Sequence, residues 1–133
     1  MLDEMERPGW LQVGVAGELA RKYGEDSRDF FASLATMLES ALPQETQIER
    51  RGGWFAPKVL HRITVQMGDN RYCLESPERG GLRATRTHFV RGIALKTEDV
   101  AVGEWLNELG AALDERAQSS RATREALGKF VDF

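Results

Sequence analysis

The sequence predicts an α+β domain in the order α-α-β-β-β-β-α-α, an antiparallel sheet of four to five strands with the N-terminal and C-terminal helices covering one face. Three observations carry this. Apolar side chains recur every three or four residues before Pro43 and after Ala101, which is the period of amphipathic helices. Between them, residues 58–75 alternate apolar and polar with the period of a half-buried strand. Clusters of glycine, proline, aspartate and asparagine separate the alternating runs, as turns do.

The opening MLDEMERPG, residues 1–9, reads as a flexible lead-in. From Trp10, the residues Leu11, Val15, Leu19 and Tyr23 follow a four-residue step, a short helix stopped by Gly24. Gly14 and Gly17 each weaken it by up to ~1 kcal/mol relative to alanine, so it depends on tertiary contacts. A stronger helix follows. Asp26 or Ser27 caps its first free amides, and Phe30, Leu34, Met37, Leu38 and Ala41 form one apolar stripe, widened by Phe31 and Leu42. Pro43 ends it by pushing the preceding residue out of the helical region.

Gln44 to Arg51 holds one large apolar residue, Ile48, and reads as an edge strand whose Glu49, Arg50 and Arg51 discourage edge-to-edge pairing. The loop Gly52-Gly53-Trp54-Phe55-Ala56-Pro57 leads into a hairpin over Lys58–Glu75. Val59, His61, Ile63, Val65 and Met67 share one parity, Lys58, Arg62, Thr64 and Gln66 the other, and Leu60 is the exception. On the return strand Tyr72 and Leu74 alternate with Arg71, Cys73 and Glu75. Asp69 and Asn70 tolerate positive φ, and as central turn residues they set Met67 opposite Tyr72 and Val65 opposite Leu74.

Ser76-Pro77-Glu78-Arg79-Gly80-Gly81 is a turn, and Leu82–Lys96 is extended. It reads as one bent strand with a bulge at Gly92. The competing hairpin, tipped by Arg91-Gly92 with Val90 opposite Ile93 and His88 opposite Leu95, is set aside because arginine fits poorly where positive φ is required. Thr97 to Asp99 then supply the hydroxyl and carboxylate for a helix start. Val102, Trp105, Leu106, Leu109, Leu113 and Ala117 follow at helical spacing, with Trp105 expected to anchor the last helices on the inner face of the sheet. Gln118-Ser119-Ser120 interrupts that stripe, and Ala122, Leu127, Phe130 and Val131 resume it in a second short helix.

Composition narrows the class. A chain of this length buries roughly two-thirds of its unfolded surface, so residues 1–133 are expected to form a single domain that needs no metal or disulfide. Cys73 is the only cysteine, the start has no apolar leader run, and no stretch approaches the ~20 apolar residues of a membrane span. A reducing, cytoplasmic setting is the expectation. The net charge of −3 is sorted along the chain. Residues 1–46 carry four basic and nine acidic side chains, residues 47–96 ten and four, and residues 97–133 four and eight. Ion pairing between the acidic helices and a basic sheet is the plain explanation.

The inventory for chemistry is short. Two histidines and one cysteine make no metal set without recruited carboxylates, so no metal or other cofactor is expected. His61 reads as a buried, hydrogen-bonded histidine on the apolar face, with His88 on the same face of a neighbouring strand. The nucleophile elbow, the phosphate loop, the dinucleotide glycine pattern and H-E-x-x-H are absent from the sequence. Cys73, on the outer parity, reads as a small filler or an oxidation-sensitive surface thiol. Glu98-Asp99 and Asp114-Glu115 are adjacent carboxylates that diverge on a helix. The chain is therefore not expected to be an enzyme.

Two features point to interactions. The loop from Arg50 to Lys58 interleaves cations with two large aromatic rings, and Arg51, Trp54 and Phe55 are its candidate binding residues. Such a tip can stack a base, enter a groove on a partner or touch an anionic membrane surface; against this stands simple packing of the rings over the end of the sheet. The cations Lys58, Arg62, Arg71, Arg83, Arg86 and Arg91 are the second feature, with Arg62, Arg71, Arg83 and Arg86 as a candidate basic face. The expected function is a non-enzymatic protein-interaction module, its partner another protein or a second copy in a homodimer. Binding of nucleic acid or another polyanion by the basic face is the alternative.

Val90-Arg91-Gly92-Ile93-Ala94-Leu95-Lys96-Thr97 followed by Glu104-Trp105-Leu106 resembles small uncharacterised bacterial proteins, chiefly of actinobacterial type. The resemblance spans about half the chain, implies a bacterial cytoplasmic origin and brings no activity or site residues. Small acidic secretion chaperones are similar in size, charge and mixed composition, which makes a secretion-chaperone-like role a further alternative. They characteristically place a helix between strands, and none is expected here between Arg50 and Lys96.

Overall fold

The computed structural model describes residues 15–25, 27–55, 57–77 and 81–131. The expected lead-in, the helix start at Trp10 and Leu11, the cap at Asp26 and the turn residues Glu78 to Gly80 lie outside them. Among the described residues nine elements follow in order: α1 (Val15–Glu25), α2 (Ser27–Ala41), β1 (Thr46–Arg51), β2 (Val59–Met67), β3 (Asn70–Glu75), β4 (Arg83–Val90), β5 (Ile93–Val100), α3 (Val102–Ala117) and α4 (Arg121–Val131). They form two compact units, one from residues up to Leu42 with those from Leu106 onward, the other from Pro43 to Trp105.

In the helical unit the apolar stripe expected of α2 is the buried one: Phe30, Leu34, Met37, Leu38 and Ala41, with Phe31 and Leu42 beside it. Leu106, Leu109, Leu113 and Ala117 are buried on α3. In α4 the buried set is Thr123, Ala126, Leu127 and Phe130, whereas Ala122, expected in the stripe, is exposed. Ser120 explains the offset. Its hydroxyl accepts from the Thr123 amide at 3.2 Å and so caps α4, leaving Ala122 in the first turn on the solvent side. Buried Thr123 donates its own hydroxyl to the Ala41 carbonyl at 2.9 Å, satisfying an end of α2.

The sheet unit is a five-stranded antiparallel meander, β1-β2-β3-β4-β5. Its registers place Ile48, Ile63, Leu74, Ala84 and Val100 side by side across all five strands, and Thr46, Val65, Tyr72, Arg86 and Glu98 in the next row. Ile63, Val65, Tyr72, Leu74 and Ala84 are buried, so this is the inner face, as the alternation of β2 and β3 predicts. Trp105, in the first turn of α3, stands edge-on to Tyr72 with ring centroids 6.3 Å apart.

Three expectations about the strands are corrected. The β2–β3 turn is Gly68-Asp69, with Gly68 at φ 60°, so Met67 pairs with Asn70 and Val65 with Tyr72. The parity is as read, and the register differs by two residues. Leu82–Lys96 is not one bent strand, because Arg91 (φ 54°) and Gly92 (φ 80°) both adopt positive φ and close a tight hairpin between β4 and β5. Val90 faces Ile93 in it, but a bulge between His88 and Phe89 sets His88 opposite Lys96 rather than Leu95. Thr97 to Asp99 continue β5 instead of opening a helix, and α3 begins at Val102.

Candidate functional site

The outer face of the sheet gathers most of the polar residues singled out in the sequence. Where β2 turns its hydrophobic parity inward, Arg62, Thr64 and Gln66 face outward, and the registers align them with neighbours across four or five strands. One row reads Glu49, Arg62, Glu75, Arg83 from β1 to β4. The next reads Gln47, Thr64, Cys73, Thr85, Asp99, and the third Gln66, Arg71, Thr87, Thr97. Together with Gln44 and Glu45, most of these residues line a shallow depression of about 520 Å³.

Charge alternates across the first row. Arg62 reaches Glu49 at 3.3 Å and Glu75 at 2.9 Å, while Arg83 reaches Glu75 at 3.9 Å and Asp99 at 3.0 Å. The result is a ladder of alternating sign from β1 to β5, of the kind that favours one cross-strand register over others. The hydrogen bond from Arg62, reinforced by the charges of Arg62, His61 and Arg83, holds the Glu75 carboxyl below the usual carboxylate range against a smaller opposing effect of burial. Arg71 takes another route: its Nε donates to Gln66 Oε1 at 3.2 Å and its guanidinium lies 4.6 Å from the centre of the Phe89 ring.

Arg86 does not belong to this face. Its row is that of Val65 and Tyr72, and its Nη2 lies 2.7 Å from Glu98 Oε1 with Glu104 at 3.9 Å. The expected set of four outward arginines is therefore three, Arg62, Arg71 and Arg83, plus one on the inner side. Nor are the cations a bare field, since carboxylates of the sheet itself answer Arg62, Arg83 and Arg86. Lys58 stands at the neck of the β1–β2 loop and Arg91 in the β4–β5 turn, both exposed.

Cys73 sits at the centre of the depression, half-buried between Thr64 and Thr85. Burial pushes its thiol up, and hydrogen bonding to Thr64 and the nearby charge of Arg62 only partly offset that. The thiol is therefore protonated near neutral pH.

The histidines are not brought together. The β1–β2 register jumps from the pair Glu49/Arg62 to Arg50/Leu60, so His61 is skipped; its side chain is mostly covered, and its Nε2 lies 3.7 Å from Glu75. His88 lies at the other end of β3, where its Nδ1 is 3.1 Å from Asn70 Oδ1. Glu98 and Asp99 diverge, as adjacent residues on a strand do, toward Arg86 and Arg83 respectively. Among the described residues no group of three or more His, Cys, Asp and Glu side chains is arranged to hold a metal ion.

The aromatic loop is the other site. Trp54 is 100% and Phe55 103% exposed, and Val59 at the start of β2 is 63% exposed. The rings do not fold over the end of the sheet. The loop is pinched at its base, where Arg51 pairs with Val59 and a Cβ placed on Gly52 would meet Lys58 Cα and the Pro57 carbonyl oxygen at 2.8 Å. Glycine at 52 lets the two ends approach, and the rings project from the narrow neck. Arg51 stands on that neck, 3.8 Å from Glu49.

No helix among the described residues is long and apolar enough to cross a membrane. No protein-family model, curated protein or solved structure matches the chain.

Proposed function

We propose that this chain is a non-enzymatic protein-interaction module that docks a protein partner, or a second copy of itself, on the outer sheet face. One observation carries the reading: an open sheet face whose fixed charges are already matched in alternating order around a row of threonines and a neutral thiol. Such a surface offers directional hydrogen bonds and local charge pairs without a field of one sign, which suits the polar contacts of a protein surface. Polyanion binding is the weaker reading because the arginines it needs are answered within the sheet. Binding of that kind also falls steeply with salt, which separates the two.

Cys73 is the natural reporter, being the only cysteine and central to the face. A partner seated there slows alkylation of the thiol, and Thr85→Arg, which fills the depression, abolishes capture of the partner. Light scattering after gel filtration tells whether the partner is a second copy. Capture by the Thr85→Arg variant at the wild-type level, with the thiol equally reactive in the complex, removes the sheet face from the proposal.

A further inference from the structure

We infer that the Trp54–Phe55 loop is a peripheral anchor for an anionic lipid surface, a role independent of the sheet-face reading. The order of chemistry along the loop is what points there. Its tip is two fully exposed rings, with exposed Val59 just past the base, and its collar is the exposed cations Arg50, Arg51 and Lys58. Apolar tip first and cationic collar behind it is the layering that a bilayer presents, hydrocarbon boundary beneath negatively charged headgroups. The indole and phenyl rings belong at that boundary, and the collar reaches the headgroups when the rings are seated.

The pinch at Gly52 adds preorganisation. With Lys58 and Pro57 backbone atoms against it, the loop presents both rings without first having to gather its ends. A second copy is a poor occupant of the same tip, because a two-fold contact through the loop brings the two cationic collars together. Glu49, 3.8 Å from Arg51, leaves that side chain 62% exposed and able to reach a headgroup.

Co-sedimentation tests this with vesicles of phosphatidylcholine containing about one quarter phosphatidylserine, beside vesicles of phosphatidylcholine alone. The chain is expected to pellet with the anionic vesicles at low salt and to release as ionic strength rises. Trp54→Ser with Phe55→Ser lowers the partition coefficient by roughly tenfold or more, and Arg51→Glu with Lys58→Glu reduces it to the level seen on neutral vesicles. All four positions are exposed, so the variants keep the wild-type circular dichroism. Equal binding to both vesicle types, no pelleting at low salt, or unchanged binding by the double serine variant overturns the proposal. A loop that serves a protein partner instead leaves the vesicles unbound. Thr85→Arg is expected to bind vesicles normally, so loss of partner capture and loss of lipid binding are told apart.

Discussion

Cys73 carries two influences that pull its thiol in opposite directions. Arg62 and the Thr64 hydroxyl favour the thiolate, burial in the sheet face favours the thiol, and burial prevails. Its outward parity follows from the alternation of β3, but its half-burial does not, since that depends on Thr64 and Thr85 lying beside it in the registered sheet. The expected behaviour is slow alkylation by iodoacetamide at pH 8, with the rate climbing through a midpoint above the ordinary thiol value of about 8.5. A midpoint at or below that value would mean that Arg62 outweighs desolvation and that Cys73 is an activated group.

The strand connections show why parity was readable and register was not. A two-residue period fixes pairing only modulo two, and the turn residues must supply the rest. Asp69-Asn70 and Gly68-Asp69 are both plausible turn centres, but glycine adopts positive φ without a Cβ penalty, and Gly68 takes the first position. That difference of two residues hid the charge ladder, because Arg62 then faces Glu75 instead of Pro77. At the other hairpin the bulk of the side chain argues against positive φ, yet Arg91 adopts it at φ 54°, because the paired strands on either side leave a two-residue connection. The strain makes a prediction. Arg91→Asn or Arg91→Gly raises the stability by up to about 1 kcal/mol and the melting temperature by a few degrees. A lower melting temperature would mean that the Arg91 side chain makes a contact worth more than its backbone strain.

For the molecule as a whole, the sorting of charge along the chain was visible from the sequence, but its meaning depends on the order of strands. The excess of cations in residues 47–96 suggested a basic face answered by acidic helices. In the folded chain Glu49, Glu75, Glu98 and Asp99 answer Arg62, Arg83 and Arg86 inside the sheet. Two of these carboxylates come from within the basic stretch and two from the segment expected to be helical, so misplacing the end of β5 concealed half of the answer. The sequence offers the aromatic loop as an interaction candidate, and in the folded chain both of its rings are exposed. Whether Trp54 and Phe55 face solvent was undetermined by sequence, because it depends on the close approach of Gly52 to Lys58.

The ladder gives the protein a defined response to acid. Glu75 and Glu98 are held below the usual carboxylate range chiefly by hydrogen bonds from Arg62 and Arg86 respectively. A carboxylate with a lowered folded-state pKa stabilises the fold above its unfolded value, near 4.3 for glutamate, and that contribution disappears as pH falls through the lower folded value. Stability is therefore flat with respect to these groups at neutral pH and declines on the acid side of about 4.3. Glu75→Gln removes one rung. It costs about 1 kcal/mol at pH 7, since the carboxylate is only partly shielded, and the gap from wild type narrows toward zero as acid protonates Glu75. Urea unfolding followed by circular dichroism over a pH series measures both quantities. A gap that stays constant down to the lowest pH would show that Glu75 acts through its packing and that the Arg62 pair adds nothing to the fold.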